Sequence, residues 1–180
     1  MEVLPLEQLG PRIMICGPSN AGKSTLAQAM GQKLDLPVVH LDQLRFVPNS
    51  NWVLRPEETF AAAHVAAVAG NSWIIEGNYF GGIGARIERA TGIIQLHDRR
   101  SANAVRYVRR TLFDKHRAGH LEGGRDSLKW ELFRWILWEE PRRHAPRRDL
   151  LRGTGLPYVA SNSMQDLRAL YRAWELPQPR

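Results

Sequence analysis

The eight residues Gly17-Pro18-Ser19-Asn20-Ala21-Gly22-Lys23-Ser24 constrain this chain more than any other stretch of it. They follow a short apolar run, RIMIC (12–16), and open a segment in which Leu26, Met30 and Leu34 recur at helical spacing. Strand, glycine-rich turn and helix, in that order, is the context that G-x-x-x-x-G-K-[ST] requires. Glycines let backbone N–H groups turn inward around an anion, and the first helical turn adds unpaired donors and the positive end of its dipole. A phosphate cradle is implied, because a turn that merely closed a strand–helix corner would need neither Lys23 nor Ser24. Lys23 would reach the β- and γ-phosphates of a nucleotide, and the Ser24 hydroxyl would ligate Mg²⁺. With Thr25 the stretch 17–25 is the expected nucleotide site.

The rest of the chain alternates in the same sense. The segment 37–41 (PVVHL) reads as a second strand closed by Asp42, and 43–55 as a polar connection. Pro56 at a first helical position, Glu57 and Glu58 in the first turn and Gly70 at the end bracket an alanine-rich helix. WIIE (73–76) is a third strand, a short helix passes through Ile87, and IIQLH (93–97) is a fourth strand. Ser101 caps a helix through Phe113, the glycine-containing 114–125 reads as an exposed loop, and 128–140 returns to helix. A basic segment runs on to Arg152, LPYVA (156–160) is a fifth strand, and Ser163 with Asp166 forms a capping box before the last helix. Strands apolar throughout, separated by helices, describe an α/β fold: a parallel five-stranded sheet covered on both faces.

With 180 residues, one domain is expected, without interdomain linker or repeat. No apolar run reaches the ~18 residues of a membrane span, and the start of the chain has no signal-peptide pattern. The single cysteine, Cys16, sits in an apolar strand as an inert small hydrophobe and forms no intrachain disulfide. A soluble, cytoplasmic protein is the expectation. The net charge of +7 is localised: residues 98–152 hold 15 basic against 8 acidic side chains, and the remainder is balanced. Of 25 basic residues, 21 are arginine, whose planar fork suits phosphate. A phosphorylated ligand, small or polymeric, fits this excess, as does an arginine-rich surface that serves solubility alone.

A GTP-binding switch would carry Asn-Lys-x-Asp and Asp-x-x-Gly, and neither occurs. Five strands leave little room for a motor ATPase. The chain resembles the adenylate-kinase-like small-molecule kinases, and more closely the bacterial topology modulation group within them. The resemblance covers residues 13–110, through the phosphate loop, HLDQL (40–44), WIIEGNY (73–79) and RYVRR (106–110). It implies a three-layer sandwich with strand order 2-3-1-4-5, an acceptor-binding insertion at about 43–72 and an arginine-rich lid at about 114–126. It also implies phosphoryl transfer from ATP, with Mg²⁺, to a nucleoside, nucleotide or hydroxylated metabolite.

Asp42, at the carboxyl end of a strand, lies on the edge where open α/β sheets bind ligands, and could take an acceptor proton or orient a magnesium-bound water. In shikimate-kinase-like relatives an acid here touches the acceptor. Glu76 resembles the acid of the adenylate kinase D-G-F-P-R segment and would hold the Mg²⁺ shell beside Ser24. Asn78-Tyr79-Phe80 stands where that segment has Phe-Pro-Arg, so the arginine that clamps an acceptor phosphate is missing. Asn78 and Tyr79 could hydrogen-bond or stack on a different acceptor. Arg45 and Arg55 could replace the clamp, with Trp52 between them stacking on the acceptor or covering the core. Arg106 and Arg110, on one helix face, match the R-x-x-x-R that contacts the transferring phosphates as the lid closes; Arg109 lies beside them. His116 and His120 have metal spacing but Gly119 between them and no third ligand, so they read as loop residues. Trp130, Trp135 and Trp138 read as core or as a homodimer face. The alternative to a kinase is a nucleotide-switched ATPase that binds nucleic acid through 98–152 and modulates DNA topology.

Overall fold

Residues 13–16 are buried without exception, and that dictates where the first strand must lie. The computed structural model describes residues 3–50, 52–97 and 144–178. β1 (Arg12–Cys16) runs in the middle of a five-stranded sheet, between β3 (Trp73–Glu76) and β4 (Gly92–Leu96). β2 (Val38–His40) and β5 (Tyr158–Ser161) form the edges, all pairs are parallel, and the order is β2-β3-β1-β4-β5. The edges alternate or are half-buried, whereas β3 and β4 are buried at every position, as strands covered on both faces must be.

Alternation along β1 divides the core into two layers. Ile13 and Ile15 pack with Leu26 and Met30 of α1 (Lys23–Leu34) and with Leu167 and Leu170 of α6 (Met164–Ala173). Met14 and Cys16 face the other way. There they meet Leu41 of α2 (Leu41–Arg45), Val68 of α3 (Glu57–Val68), Ile83 of α4 (Ile83–Arg89) and Leu151 of α5 (His144–Arg152). The α/β three-layer architecture and its strand order are therefore those the sequence leads one to expect. Asp166 N–H donates to Ser163 Oγ at 3.1 Å, and the Asp166 carboxylate takes the Asn162 N–H at 2.9 Å, which caps α6 as its sequence implies.

Several boundaries differ from the sequence reading, each for a physical reason. The second strand ends at His40, not at 41, because its partner β3 ends at Glu76. With no ladder left to join, Leu41 and Asp42 begin the one-turn helix α2. The 43–55 connection is partly ordered: Phe46 bridges Leu54 antiparallel, and Val47 N–H donates to the Val53 carbonyl at 2.8 Å. Pro56 is the N-cap of α3, so that helix begins at Glu57. The fourth strand lies one residue earlier, at Gly92–Leu96. The fifth begins at Tyr158, because Pro157 lends the ladder only its carbonyl, which accepts from Ile93 N–H. The end of the basic segment forms α5, and a 3₁₀ turn, Leu6–Leu9, covers the core with Leu6 and Leu9. The 101–113 helix with Arg106, Arg109 and Arg110, the 114–126 lid and the tryptophan helix at 128–140 lie outside the described residues. No described helix is long and apolar enough to cross a membrane.

Helix α1 approaches the sheet closely at Gly31, where an added Cβ would stand 2.4 Å from Val38 Cγ2 and 3.0 Å from the Leu36 carbonyl oxygen. Gly84 of α4 has nothing within 4 Å of the same position. Gly31→Ala is expected to lose stability in urea denaturation, since overpacking of about 1–3 kcal/mol outweighs a helix-propensity gain of about 1 kcal/mol. Gly84→Ala, with only the propensity gain, is expected to be neutral or stabilising.

Candidate active site

The carboxyl ends of β1, β2 and β3 converge on one edge of the sheet, where the turn after β1 dominates the geometry. Gly17 has φ +148°, and a Cβ there would lie 2.5 Å from the Leu96 carbonyl oxygen, so only glycine fits so close to β4. Asn20 (φ +64°) and Gly22 (φ +91°) are also left-handed, which folds the loop into a concave run of backbone around its own amides. Lys23 begins α1 and arches back so that Nζ donates to the Pro18 carbonyl at 2.9 Å.

Ser24 and Glu76 meet beside this loop. Parallel pairing sets Ile15 opposite Glu76 and His40 opposite Glu76, so three adjacent strands deliver the loop, the acid and the histidine to one place. Ser24 Oγ donates to Glu76 Oε1 at 2.9 Å, and His40 Nδ1 lies 2.8 Å from the same oxygen. Glu76 and His40 are both buried. Burial alone would raise the Glu76 pKa, but the His40 hydrogen bond, the Lys23 charge and the Ser24 hydroxyl outweigh it and hold the carboxyl below its usual value. Among the described residues no three His, Cys, Asp or Glu side chains gather as a metal cage. A hydroxyl and an ionised carboxylate are nevertheless hard oxygen donors of the kind Mg²⁺ uses alongside substrate phosphates, so Ser24 and Glu76 fit that ion.

Asp42, in the first turn of α2, stands across from them. It is accessible to solvent, yet protein atoms crowd its carboxyl. Desolvation, with the nearby Glu76 charge, pushes its pKa up, against the Lys23 charge and a hydrogen bond from the Tyr79 hydroxyl. The Tyr79 hydroxyl is pushed well above its ordinary value by burial and by Asp42. A cleft of about 250 Å³ opens between these groups, lined by Ser19, Lys23, Asp42, Gly77, Asn78, Tyr79 and Arg147. Asn78 also closes the seam to the loop, its Oδ1 accepting from Gly17 N–H at 3.1 Å.

Arg45, Trp52 and Arg55 stand to one side of this cleft rather than lining it. Arg45 pairs with Glu57 at 2.8 Å and lies 5.1 Å over the Phe60 ring, while Arg55 Nε donates to the Phe46 carbonyl at 3.0 Å. Trp52 packs edge-on against Phe46, with ring centroids 5.1 Å apart. Two groups of the site escaped the sequence reading. His40 opens the HLDQL stretch, which gives it no role of its own; its register opposite Glu76 supplies one. Arg147 was one arginine in a basic run; the first turns of α5 bring it to the cleft, 4.3 Å over the Phe80 ring.

No known family profile matches the chain, and no curated protein matches its sequence. Solved structures do. The chain is similar to a gluconokinase from Sinorhizobium meliloti 1021, with TM-score 0.57 and 19% identity over 93% of this chain and 90% of that one. It is also similar to a shikimate kinase from Bacteroides thetaiotaomicron, with TM-score 0.52 and 22% identity over 92% of this chain and 99% of the other. The shared feature is the fold, the α/β arrangement with its five-stranded parallel sheet.

The opposite pKa displacements of the two acids give opposite effects on stability. Glu76, depressed on folding, adds stability above the ordinary carboxyl value of ~4.3 that is lost as pH falls through its lower folded value. Glu76→Ala is expected to cost about 1–3 kcal/mol at pH 7, by leaving the buried His40 donor unpaired, and to flatten the acid limb of the stability curve. Asp42, raised on folding, favours the fold below its ordinary value and loses that contribution as pH rises through its folded value. Asp42→Asn should therefore melt higher than the unaltered chain at pH 7. Thermal melts from pH 3 to 8 measure both.

Proposed function

We propose that the chain transfers the γ-phosphoryl group of ATP to a hydroxyl of a small acceptor. The observation that carries this reading is that Ser19 and Lys23 of the phosphate loop line the same cleft as Asp42, with Ser24 bonded to Glu76 at its side. A loop for a triphosphate and a carboxylate for an acceptor belong to one space. The likeness to two small-molecule kinases and the resemblance of HLDQL and WIIEGNY to the topology modulation group support the same reading.

In this scheme backbone N–H groups of the loop, from residues other than Pro18, bind the β- and γ-phosphates, and Lys23 Nζ exchanges the Pro18 carbonyl for a phosphate oxygen. Ser24 and Glu76 would hold Mg²⁺, which offsets negative charge on the phosphates. The acceptor lies against Asp42, Asn78 and Tyr79. Asp42 takes the proton of its hydroxyl as the new oxygen–phosphorus bond forms and the bond from the γ-phosphorus to the β–γ bridging oxygen breaks, leaving ADP. A carboxyl with a raised pKa is the stronger base for this task, and the Tyr79 hydroxyl fixes its orientation. Arg147, which also lines the cleft, offers positive charge. It does there what the arginine missing from the segment after Glu76 would have done. Arg106 and Arg110 lie outside the described residues; their R-x-x-x-R spacing is the sequence's candidate for further positive charge on the transferring group, where a positioned arginine contributes ~10³ or more in rate.

Calorimetry of ATP with magnesium, followed by ADP release across a panel of nucleosides, nucleotides and hydroxylated metabolites, tests the reading. Lys23→Ala should abolish ATP uptake, and ADP release that survives this substitution would reject the assignment. Asp42→Asn should bind ATP normally while turnover falls by about 10²–10⁴. Because the base must be ionised, kcat/KM should fall as pH drops, with its acid limb above the ~3.9 of an ordinary aspartate.

A further inference from the structure

Behind the cleft wall lies a side chain that the scheme above does not use. Arg86 of α4 is wholly inside the protein, at 0% exposure. Its Nη2 donates to the Tyr79 carbonyl, while Nε and Nη1 have no hydrogen-bond partner among the described residues. The groups around it are Cys16 of β1 and the buried His64 of α3, whose Nδ1 stands near the Gly82 turn that opens α4. The apolar cluster of Met14, Ile75, Ile83 and Ile87 fills the same layer.

Stability does not account for such a residue. A buried guanidinium with no carboxylate bonded to it among the described residues is costly, and apolar side chains of similar volume commonly replace buried ions without loss. What Arg86 holds does account for it. The chain leaves β3 at Gly77, with φ +141°, and residues 77–79 then form one wall of the cleft. Two bonds tie this wall to the front: Asn78 to Gly17 and the Tyr79 hydroxyl to Asp42. The Arg86 bond ties the same wall from behind.

We infer that Arg86 is a positioning residue: it fixes the Tyr79 main chain from inside the protein and thereby sets the Tyr79–Asp42 and Asn78–Gly17 contacts that shape the cleft. The inference rests on the proposed kinase reading only for what the cleft binds, since the contacts themselves need no ligand.

The test compares the full chain with Arg86→Met and Arg86→Lys, without nucleotide, by amide hydrogen exchange, thermal melting and the Tyr79 Cζ resonance of ¹³C-tyrosine protein assigned with Tyr79→Phe. Arg86→Met should melt no lower than the unaltered chain. Its amides at 78–80 should nevertheless exchange about tenfold faster, as the loss of one hydrogen bond from a charged donor implies, while β1 amides keep their rates. The Tyr79 resonance should move toward that of a solvent-exposed tyrosine, and Arg86→Lys, which keeps a donor, should restore part of each change. Unchanged exchange at 78–80 with an unmoved Tyr79 resonance overturns the inference. So does a lower melting point with exchange raised evenly through β1 and β3, which marks a merely structural role. If Arg86→Met does not fold, Arg86→Lys decides alone: faster exchange at 78–80 than in β1 supports the inference, and equal change overturns it. A chain that takes up no ATP would sink the kinase reading and leave these outcomes legible.

Discussion

One carboxylate oxygen organises the functional edge of this protein. Glu76 Oε1 accepts from Ser24 at the start of α1 and stands 2.8 Å from His40 Nδ1 at the end of β2, while its own backbone continues the ladder of β3. Three elements far apart in sequence therefore share a single acceptor. In a buried setting such a bond is strong when satisfied and costly when broken, so the loop, the acid and the histidine keep one mutual geometry. The local field then follows. Glu76 is stabilised as an anion, and its charge helps to make Asp42 a reluctant one. Two acids that feel each other's charge are thus driven to different proton affinities, one suited to staying ionised and the other to receiving a proton.

The fold was legible because its strands are short, apolar and punctuated. RIMIC, WIIE and the run at 92–96 are buried on both faces, which is the signature of a parallel sheet, and the phosphate loop names the first crossover. Boundaries failed where tertiary pairing decides. Nothing local to Leu41 says that β2 stops there; the stop is written in the length of β3. The basic run before Arg152 concealed α5 for a related reason, since its polar composition shows no wide apolar stripe and Leu151 is its deepest anchor.

The site divides in the same way. The glycines, Lys23, Ser24, Asp42 and Glu76 sit at positions that a motif or a strand end marks, and all of them come to the edge around the cleft. Arg86 and Arg147 carry no such mark, and the motif that holds His40 assigns it no role, because each acquires its setting from a neighbour remote in sequence: the register of β2, the turn after Gly77, the packing of α5 on Phe80. Arg45 and Arg55 also take their settings from the fold: beside the small antiparallel bridge between Phe46 and Leu54, Arg55 meets the Phe46 carbonyl and Arg45 the Phe60 ring and Glu57.

The bond from Gly17 to Asn78 has a consequence for how two substrates would communicate. The first amide of the loop is engaged by a residue of the opposite wall. A molecule that claimed this hydrogen would release Asn78, and whatever then sat beside Asn78 would meet a different surface. Thermodynamic reciprocity makes the effect run equally in reverse, so the order in which the two guests arrive cannot alter the sum of their affinities, only how it is divided between the first and the second.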